Sequence, residues 1–220
     1  RVLEIGCGTG QATVPRAERG CEIVAVEIGP HLAAVARRNL GRFLSAQVVT
    51  SAFEDWPLPP EPFDAVVSAT AFHWLDPAVR VVKAADALCP GGALATIATH
   101  HIAGGTEDFF AAVQACYERW DPATPPGLRL PTAAEIPLSG EELDRSGRFG
   151  PALFRRHEWE LVYSSAAYRE VLLTYSGDRA LAPAARRNLL SCIAQLIESR
   201  FGGRIAKRHL TELRVAHRRR

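Results

Sequence analysis

The densest concentration of potential chemistry lies at the start of the chain. Glu4-Ile5-Gly6-Cys7-Gly8-Thr9-Gly10 sets three glycines at alternate positions after an apolar run, with a carboxylate two residues before the first. Glycine lets backbone approach a ligand closely and tolerates positive φ. The dinucleotide fingerprint G-x-G-x-x-G would require glycine at position 11, which is Gln11. A pyrophosphate prefers a helix N-terminus away from carboxylates, so Glu4 suits a cationic ligand better. Glu27 closes the next apolar run, where an acid can accept hydrogen bonds from both hydroxyls of a ribose. These groups ask for a nucleoside with a positive centre and no phosphate. S-adenosylmethionine, with its adenosine, sulfonium and amino-acid tail, meets that description.

Further polar and aromatic groups follow the later apolar runs: Ser51-Ala52-Phe53-Glu54-Asp55-Trp56, Thr70-Ala71-Phe72-His73-Trp74-Leu75-Asp76, and Thr99-His100-His101. His73 is the best-placed titratable group. Its ordinary pKa near neutrality suits a general base; the alternative is a buried, hydrogen-bonded histidine that supports the loop, or one that merely lines the cavity. Trp74 reads as a core aromatic or as a wall for a substrate. His100 and His101 are neighbours on a strand and point to opposite faces, so at most one faces a site; that spacing does not suit a metal pair, and no metal is expected. Asp55 reads as a solvated acid, and Cys7 as a small residue tolerated in its loop.

The elements that must position these residues alternate. Strands are predicted at Arg1–Ile5, Glu22–Val26, Ala46–Thr50, Phe63–Ala69 and Ala93–Thr99. Helices are predicted at Gln11–Arg19, His31–Leu40 behind Pro30, and Pro77–Leu88. Such alternation implies parallel pairing with helices on both faces, and a run such as Ala65-Val66-Val67 fits a strand buried on both sides. Ligands of open α/β sheets bind beyond the carboxyl ends of the strands, where the groups above fall. The second half differs. A helix is predicted at Glu107–Trp120, with Phe109, Phe110, Tyr117 and Trp120 as core. A Pro- and Gly-rich excursion fills 121–151, with Pro122, Pro125, Pro126, Pro131, Pro137 and Pro151. A strand at Leu153–Tyr163, helices near Ala166–Tyr175 and Pro183–Arg200, and a last strand at Ile205–His217 complete it.

Composition narrows the function classes. The 220 residues are 47% hydrophobic and 23% charged, the profile of an ordinary globular chain of one domain. No stretch approaches the roughly 20 apolar residues of a membrane helix, and no export signal opens the chain. A net charge of +2 is too small to argue for nucleic acid. Lys occurs only at 83 and 207, so nearly all basic residues are Arg, a bacterial-like bias of composition. The five cysteines form no Cys-x-x-Cys pair; neither a disulfide framework nor a zinc site is expected, and a reducing cytoplasm fits. Methionine is absent and the chain opens directly into an apolar strand, which reads as a chain lacking its natural beginning.

Taken in order, three motifs resemble the class I S-adenosylmethionine-dependent methyltransferases, closest to the small-molecule group called type 11. Glu4–Gly10 resembles their motif I. Phe63-Asp64-Ala65-Val66-Val67, followed by Ala71-Phe72-His73-Trp74-Leu75-Asp76-Pro77, resembles their fourth strand and its loop. Leu88-Cys89-Pro90-Gly91-Gly92-Ala93-Leu94 resembles the turn before their fifth strand. The resemblance covers residues 1 to about 100. It implies a Rossmann-like, doubly wound, mostly parallel seven-stranded sheet with an antiparallel edge strand, to which Leu153–Tyr163 and Ile205–His217 would belong. It divides a single methyltransferase domain into a cofactor half, 1–105, and an acceptor-side half, 106–220.

The resemblance also implies roles. Glu4 and the loop Gly6, Cys7, Gly8, Gly10 and Gln11 would hold the methionine tail, Glu27 the ribose, and Ile28 the adenine. The acid that many members place after strand three is replaced by Ala52, leaving adenine to backbone amides, the Phe53 ring or Glu54. Ala69, Thr70 and Ala71 would border the sulfonium, and His73, Trp74, His100 and His101 the acceptor. The run that marks methylation of nucleic-acid bases is absent, its place reading Thr70-Ala71-Phe72-His73, so a small-molecule acceptor is implied. A non-catalytic methyltransferase-like binding domain, or a nicotinamide-dependent oxidoreductase, are the competing readings. The oligomeric state is not legible.

Overall fold

Five parallel strands carry the first half of the chain. The computed structural model describes every residue except 122, 126, 128, 176, 178 and 179, so Pro122 and Pro126 of the predicted excursion lie outside the described residues. β1 (Val2–Ile5), β2 (Ile23–Glu27), β3 (Ala46–Thr50), β4 (Phe63–Ala69), β5 (Leu88–Gly105), β6 (Leu153–Ser164) and β7 (Arg204–His217) form one seven-stranded sheet in the order β3-β2-β1-β4-β5-β7-β6. β2 is buried at every position, and its side chains divide by parity. Val24 and Val26 join one apolar cluster with Leu3, Phe63 and Leu94, while Ile23 and Ala25 join another with Ala17, Ala36 and Leu40. A strand buried on both faces is the signature of a doubly wound sheet.

Helices α1 (Thr13–Ala17), α2 (Pro30–Leu40) and α3 (Arg80–Ala87) connect these strands. α2 begins with proline, whose missing N–H costs nothing in a first turn. α3 buries Val81, Ala84 and Ala85, the spacing of one helical face. β7 runs antiparallel to its neighbours. The Arg218 N–H donates to the Gly92 carbonyl while the Thr106 N–H donates to the Ala206 carbonyl, and the Gly150 N–H donates to the His217 carbonyl while the Ser165 N–H donates to the Gly203 carbonyl. β7 and β6 are therefore the expected antiparallel edge pair.

The chain forms two compact units. The first comprises Arg1–Thr99, Leu138–Arg156 and Thr211–Arg220, and the second His100–Pro137 and His157–Leu210. Within the second, α4 (Glu107–Ala112), α5 (Gln114–Trp120), α7 (Ser165–Leu172) and α8 (Pro183–Arg200) enclose Phe109, Val113, Cys116, Tyr168, Leu189, Ile193 and Ile197. The single helix expected at Glu107–Trp120 is interrupted at Val113. The excursion expected to be irregular contains one short helix in the first unit, α6 (Glu141–Ser146).

One expectation is overturned. Cys116 and Cys192 form a disulfide, with Cα atoms 5.9 Å apart across 76 residues of sequence. The pair joins α5 to α8. Local spacing carries no trace of it, because packing of two distant helices brings the cysteines together. The cysteine count therefore gives no support to a reducing compartment. Among the described residues no helix is long and apolar enough to cross a membrane.

Candidate functional site

In the first unit a cavity of about 340 Å³ opens at the carboxyl ends of β1, β2, β3 and β4. That volume lies within the roughly 300–1,000 Å³ of small-molecule sites. Its walls come from four strand ends: Ile5, Gly6 and Gly8 after β1; Val26, Glu27, Ile28 and Leu32 around the end of β2; Ser51, Ala52, Phe53 and Glu54 after β3; and Ala69, Thr70, Ala71, Trp74 and Leu75 after β4. No lining residue is basic, and two are acidic. Ile28, Leu32 and Trp74 are exposed apolar side chains at this cavity.

Backbone proximity explains the first glycine. Gly6 has φ +69°, and a Cβ there would lie 2.3 Å from the Ala71 Cβ. The loops after β1 and β4 thus meet without room for a methyl group. Gly10, with φ +89°, turns against α2, where a Cβ would meet the Ala36 Cα at 3.7 Å. Gly10 shapes the loop and does not line the cavity.

Glu27 is buried and holds the site together. Its Oε2 accepts a hydrogen bond from the Gly8 N–H and its Oε1 from the Gly29 N–H, both at 2.8 Å. An ionised carboxylate has about four lone-pair sites, so two amides leave capacity for a further donor. Glu54 Oε1 accepts from the Asp76 N–H at 2.9 Å, linking the loops after β3 and β4. Thr70 is the one described non-glycine residue at positive φ, +54°. Its N–H donates to the Ile97 carbonyl at 2.7 Å. A β-branched residue held there stores strain of about 1–3 kcal/mol, a cost that persists where surrounding contacts over-determine the backbone.

Of the residues expected at a cofactor, Gly6, Gly8, Glu27, Ile28, Ala52, Phe53, Ala69, Thr70 and Ala71 line the cavity, and Glu4, Cys7, Gly10 and Gln11 do not. Glu4 is buried beneath the loop, 3.4 Å from the Arg16 guanidinium. Burial raises its pKa, and Arg16 works against that rise. Cys7 packs with Ala17, Ala25 and Ala36; burial, with the Glu4 and Glu27 carboxylates, pushes its thiol up to about 12, so it is no nucleophile. Gln11 is exposed.

Among the acceptor candidates only Trp74 lines the cavity. His73 is exposed on the 3₁₀ turn Phe72–Trp74, its ring 4.9 Å from that of Trp74. His100 and His101 belong to the second unit. There the His101 Nε2 lies 3.2 Å from the Tyr175 hydroxyl, which accepts from the Lys207 Nζ at 3.2 Å, and its ring meets His209 edge-on at 5.1 Å. Burial, and then the Lys207 charge, push His101 down to about 4. Sequence reasoning missed Ile5, Val26, Leu32, Ser51 and Leu75 of the lining. These are strand-end and helix residues of ordinary core type, and nothing in their identity separates them from packing residues.

A doubly wound sheet with an acid-lined cavity at its carboxyl edge has the arrangement in which open α/β domains bind ligands. Residues 3–96 match a family model described as a methyltransferase domain. That segment is the one whose motifs resemble the methyltransferase-domain family. Over 97 residues it is 38% identical to an uncharacterised methyltransferase of Mycobacterium bovis, covering 44% of this chain and 39% of that protein. The chain thus spans well under two thirds of that relative. Among solved structures, the YcgJ protein from Bacillus subtilis matches over 100% of this chain and 92% of its own, with a TM-score of 0.60 and 17% identity. Phosphoethanolamine N-methyltransferase 2 of Haemonchus contortus, solved with phosphomonomethylethanolamine and S-adenosylhomocysteine, covers 100% of this chain and 49% of its own, with a TM-score of 0.54 and 18% identity. At these identities the likeness is one of fold.

Proposed function

We propose that this chain moves a methyl group from S-adenosylmethionine to a small organic acceptor. The observation that carries the reading is the first-unit cavity, with two carboxylates, a wall of glycine backbone and no basic side chain. A pyrophosphate would find no cation there; a sulfonium nucleoside meets acceptors for its hydroxyls and amines. The Gly6 and Gly8 backbone would hold the amino-acid tail, Glu27 the ribose, and Ile28, Ala52 and Phe53 the adenine. S-adenosylmethionine, when bound, supplies the activated methyl group together with its leaving group. The protein's part is to position the reactants and exclude water. His73 and Trp74, on the turn beside the cavity, are the groups assigned to the acceptor, with His73 as the proton acceptor where the nucleophile is a hydroxyl.

The second unit offers a separate candidate ligand site. It contains its own cavity of about 580 Å³, lined by Ala103, Gly104, Phe110, Ala111, Gln114, Leu130 and Thr132 together with Glu107 and Arg129. The Gln114 Oε1 is buried with no hydrogen-bond partner among the described residues. An apolar wall with an orphaned acceptor favours a small ligand that carries a hydrogen-bond donor. The test is incubation with methyl-labelled S-adenosylmethionine and a panel of small alcohols, amines and carboxylates. Label in one acceptor class with equal release of S-adenosylhomocysteine is the expected result. Saturable binding without transfer to any class would favour a non-catalytic binding domain.

A further inference from the structure

We propose that Glu142 is a positioning residue for the first-unit cavity, acting through Arg80 and Arg214 on the turn that carries Ala71 and Trp74. The inference rests on the reading of that cavity as the methyl-donor site.

Glu142 lies on α6, in a segment that joins the first unit from far along the chain. Its Oε2 meets the Arg80 Nη2 at 2.6 Å and its Oε1 meets the Arg214 Nη2 at 2.8 Å. All three side chains are largely buried, at 18, 17 and 10% exposure. One carboxylate therefore holds two guanidiniums that would otherwise repel each other at close range in a weakly screened setting.

Both guanidiniums stand over the Phe72 ring, with Arg80 at 5.3 Å and Arg214 at 5.8 Å from its centroid. Arg80 also donates to the Phe72 carbonyl at 3.3 Å. Arg214 is anchored to the sheet, donating to the Thr96 hydroxyl at 3.1 Å and to the Ser139 carbonyl at 2.8 Å. Phe72 is buried, and its neighbour Ala71 is the residue packed over Gly6. Thr70, one residue further back, holds a positive φ that is costly on its own. A strained turn that must stay within contact distance of a glycine loop needs outside constraint, and the Glu142 clamp supplies it.

The test compares Glu142→Gln and Arg80→Gln with a control, Arg156→Gln, which breaks a similarly buried pair with Glu212 away from Phe72. Two readouts are taken. Without ligand, hydrogen exchange is followed at the Trp74 and Leu75 amides, which bond to the Ala71 and Phe72 carbonyls. With ligand, the affinity for S-adenosylhomocysteine is measured by titration. Glu142→Gln and Arg80→Gln are expected to speed exchange at these amides more than tenfold and to weaken binding about tenfold, while Arg156→Gln moves neither. Unchanged exchange overturns the clamp whether or not the nucleoside binds. Faster exchange with unchanged affinity overturns the positioning role and leaves the donor site standing. Wild-type protein that shows no binding overturns the donor-site reading itself, and exchange still judges the clamp.

Discussion

The two units of this chain are specified in different ways. The first builds its cavity from backbone: glycines with positive φ, amides bonded to Glu27, a strained Thr70, and loops that meet at Gly6 and Ala71. The second is held by side chains: an aromatic and aliphatic core around Phe109, a disulfide, and buried Lys207 and His209 grouped with half-buried His101 and Tyr175. Backbone requirements force particular residue types into short, ordered runs. Side-chain clusters are assembled from distant segments and leave no local mark. The contrast teaches where a sequence reveals its chemistry and where it conceals it.

The largest effect is expected in the second unit. Phe109 is fully buried, and its ring touches those of Phe110, Tyr168 and Phe201. Phe109→Ala should lower the free energy of unfolding by about 3–5 kcal/mol. Affinity for S-adenosylhomocysteine, measured well below the melting temperature, should stay unchanged. A loss of affinity in folded protein would erase the distinction between the units.

The glycine pair sharpens it within the first unit. Gly6→Ala meets both an unfavourable φ and the Ala71 Cβ, and should cost about 2–4 kcal/mol with loss of nucleoside binding. Gly8 has φ +58° but nothing within 4 Å of an added Cβ, so Gly8→Ala should cost only about 1–2 kcal/mol. Denaturant titration of both variants checks the order; equal losses would mean that the contact with Ala71 is immaterial.

Cys192→Ser should remove about 2–4 kcal/mol of stability, as expected for a bridge closing a long loop. Intact-mass measurement under non-reducing conditions provides the direct check, because the paired thiols lack two protons until reduced.

A pH-dependent effect is also expected in the second unit. His101 in the folded protein stays neutral down to about pH 4, whereas an unfolded histidine takes up its proton near 6.5. His209 is shifted the same way by burial and Lys207. Between those limits the unfolded chain binds more protons, so stability falls as pH drops from about 6.5 to 4. His101→Gln should flatten that slope in melting curves, and a slope unaltered in the variant would assign it to other groups.

Most of the first unit was legible because its strands are short apolar runs bounded by turn residues. Ala46–Thr50 and Phe63–Ala69 fall where alternation and apolar run length place them. Gly6, Gly8, Glu27 and Ala69–Ala71 were found at the cavity because each closes or follows a strand. Glu4 was not: a carboxylate beside a glycine loop looks like a ligand group until burial and Arg16 show it beneath the loop. On β7, Leu210, Leu213 and Val215 were the apolar signal of the strand. Its buried residues include Lys207, His209, Glu212 and Arg214, whose partners arrive from distant segments. The Cys116–Cys192 pair was invisible for the same reason.

If the first-unit cavity takes a sulfonium nucleoside, it rejects a pyrophosphate. Isothermal titration of the wild-type chain and Glu27→Ala with S-adenosylhomocysteine and, separately, with NADH tests it most directly. One saturable site for S-adenosylhomocysteine is expected, weakened by about 1.5–3 kcal/mol in Glu27→Ala, with no heat from NADH. Equal or tighter binding of NADH, or an affinity for S-adenosylhomocysteine indifferent to Glu27, would contradict it.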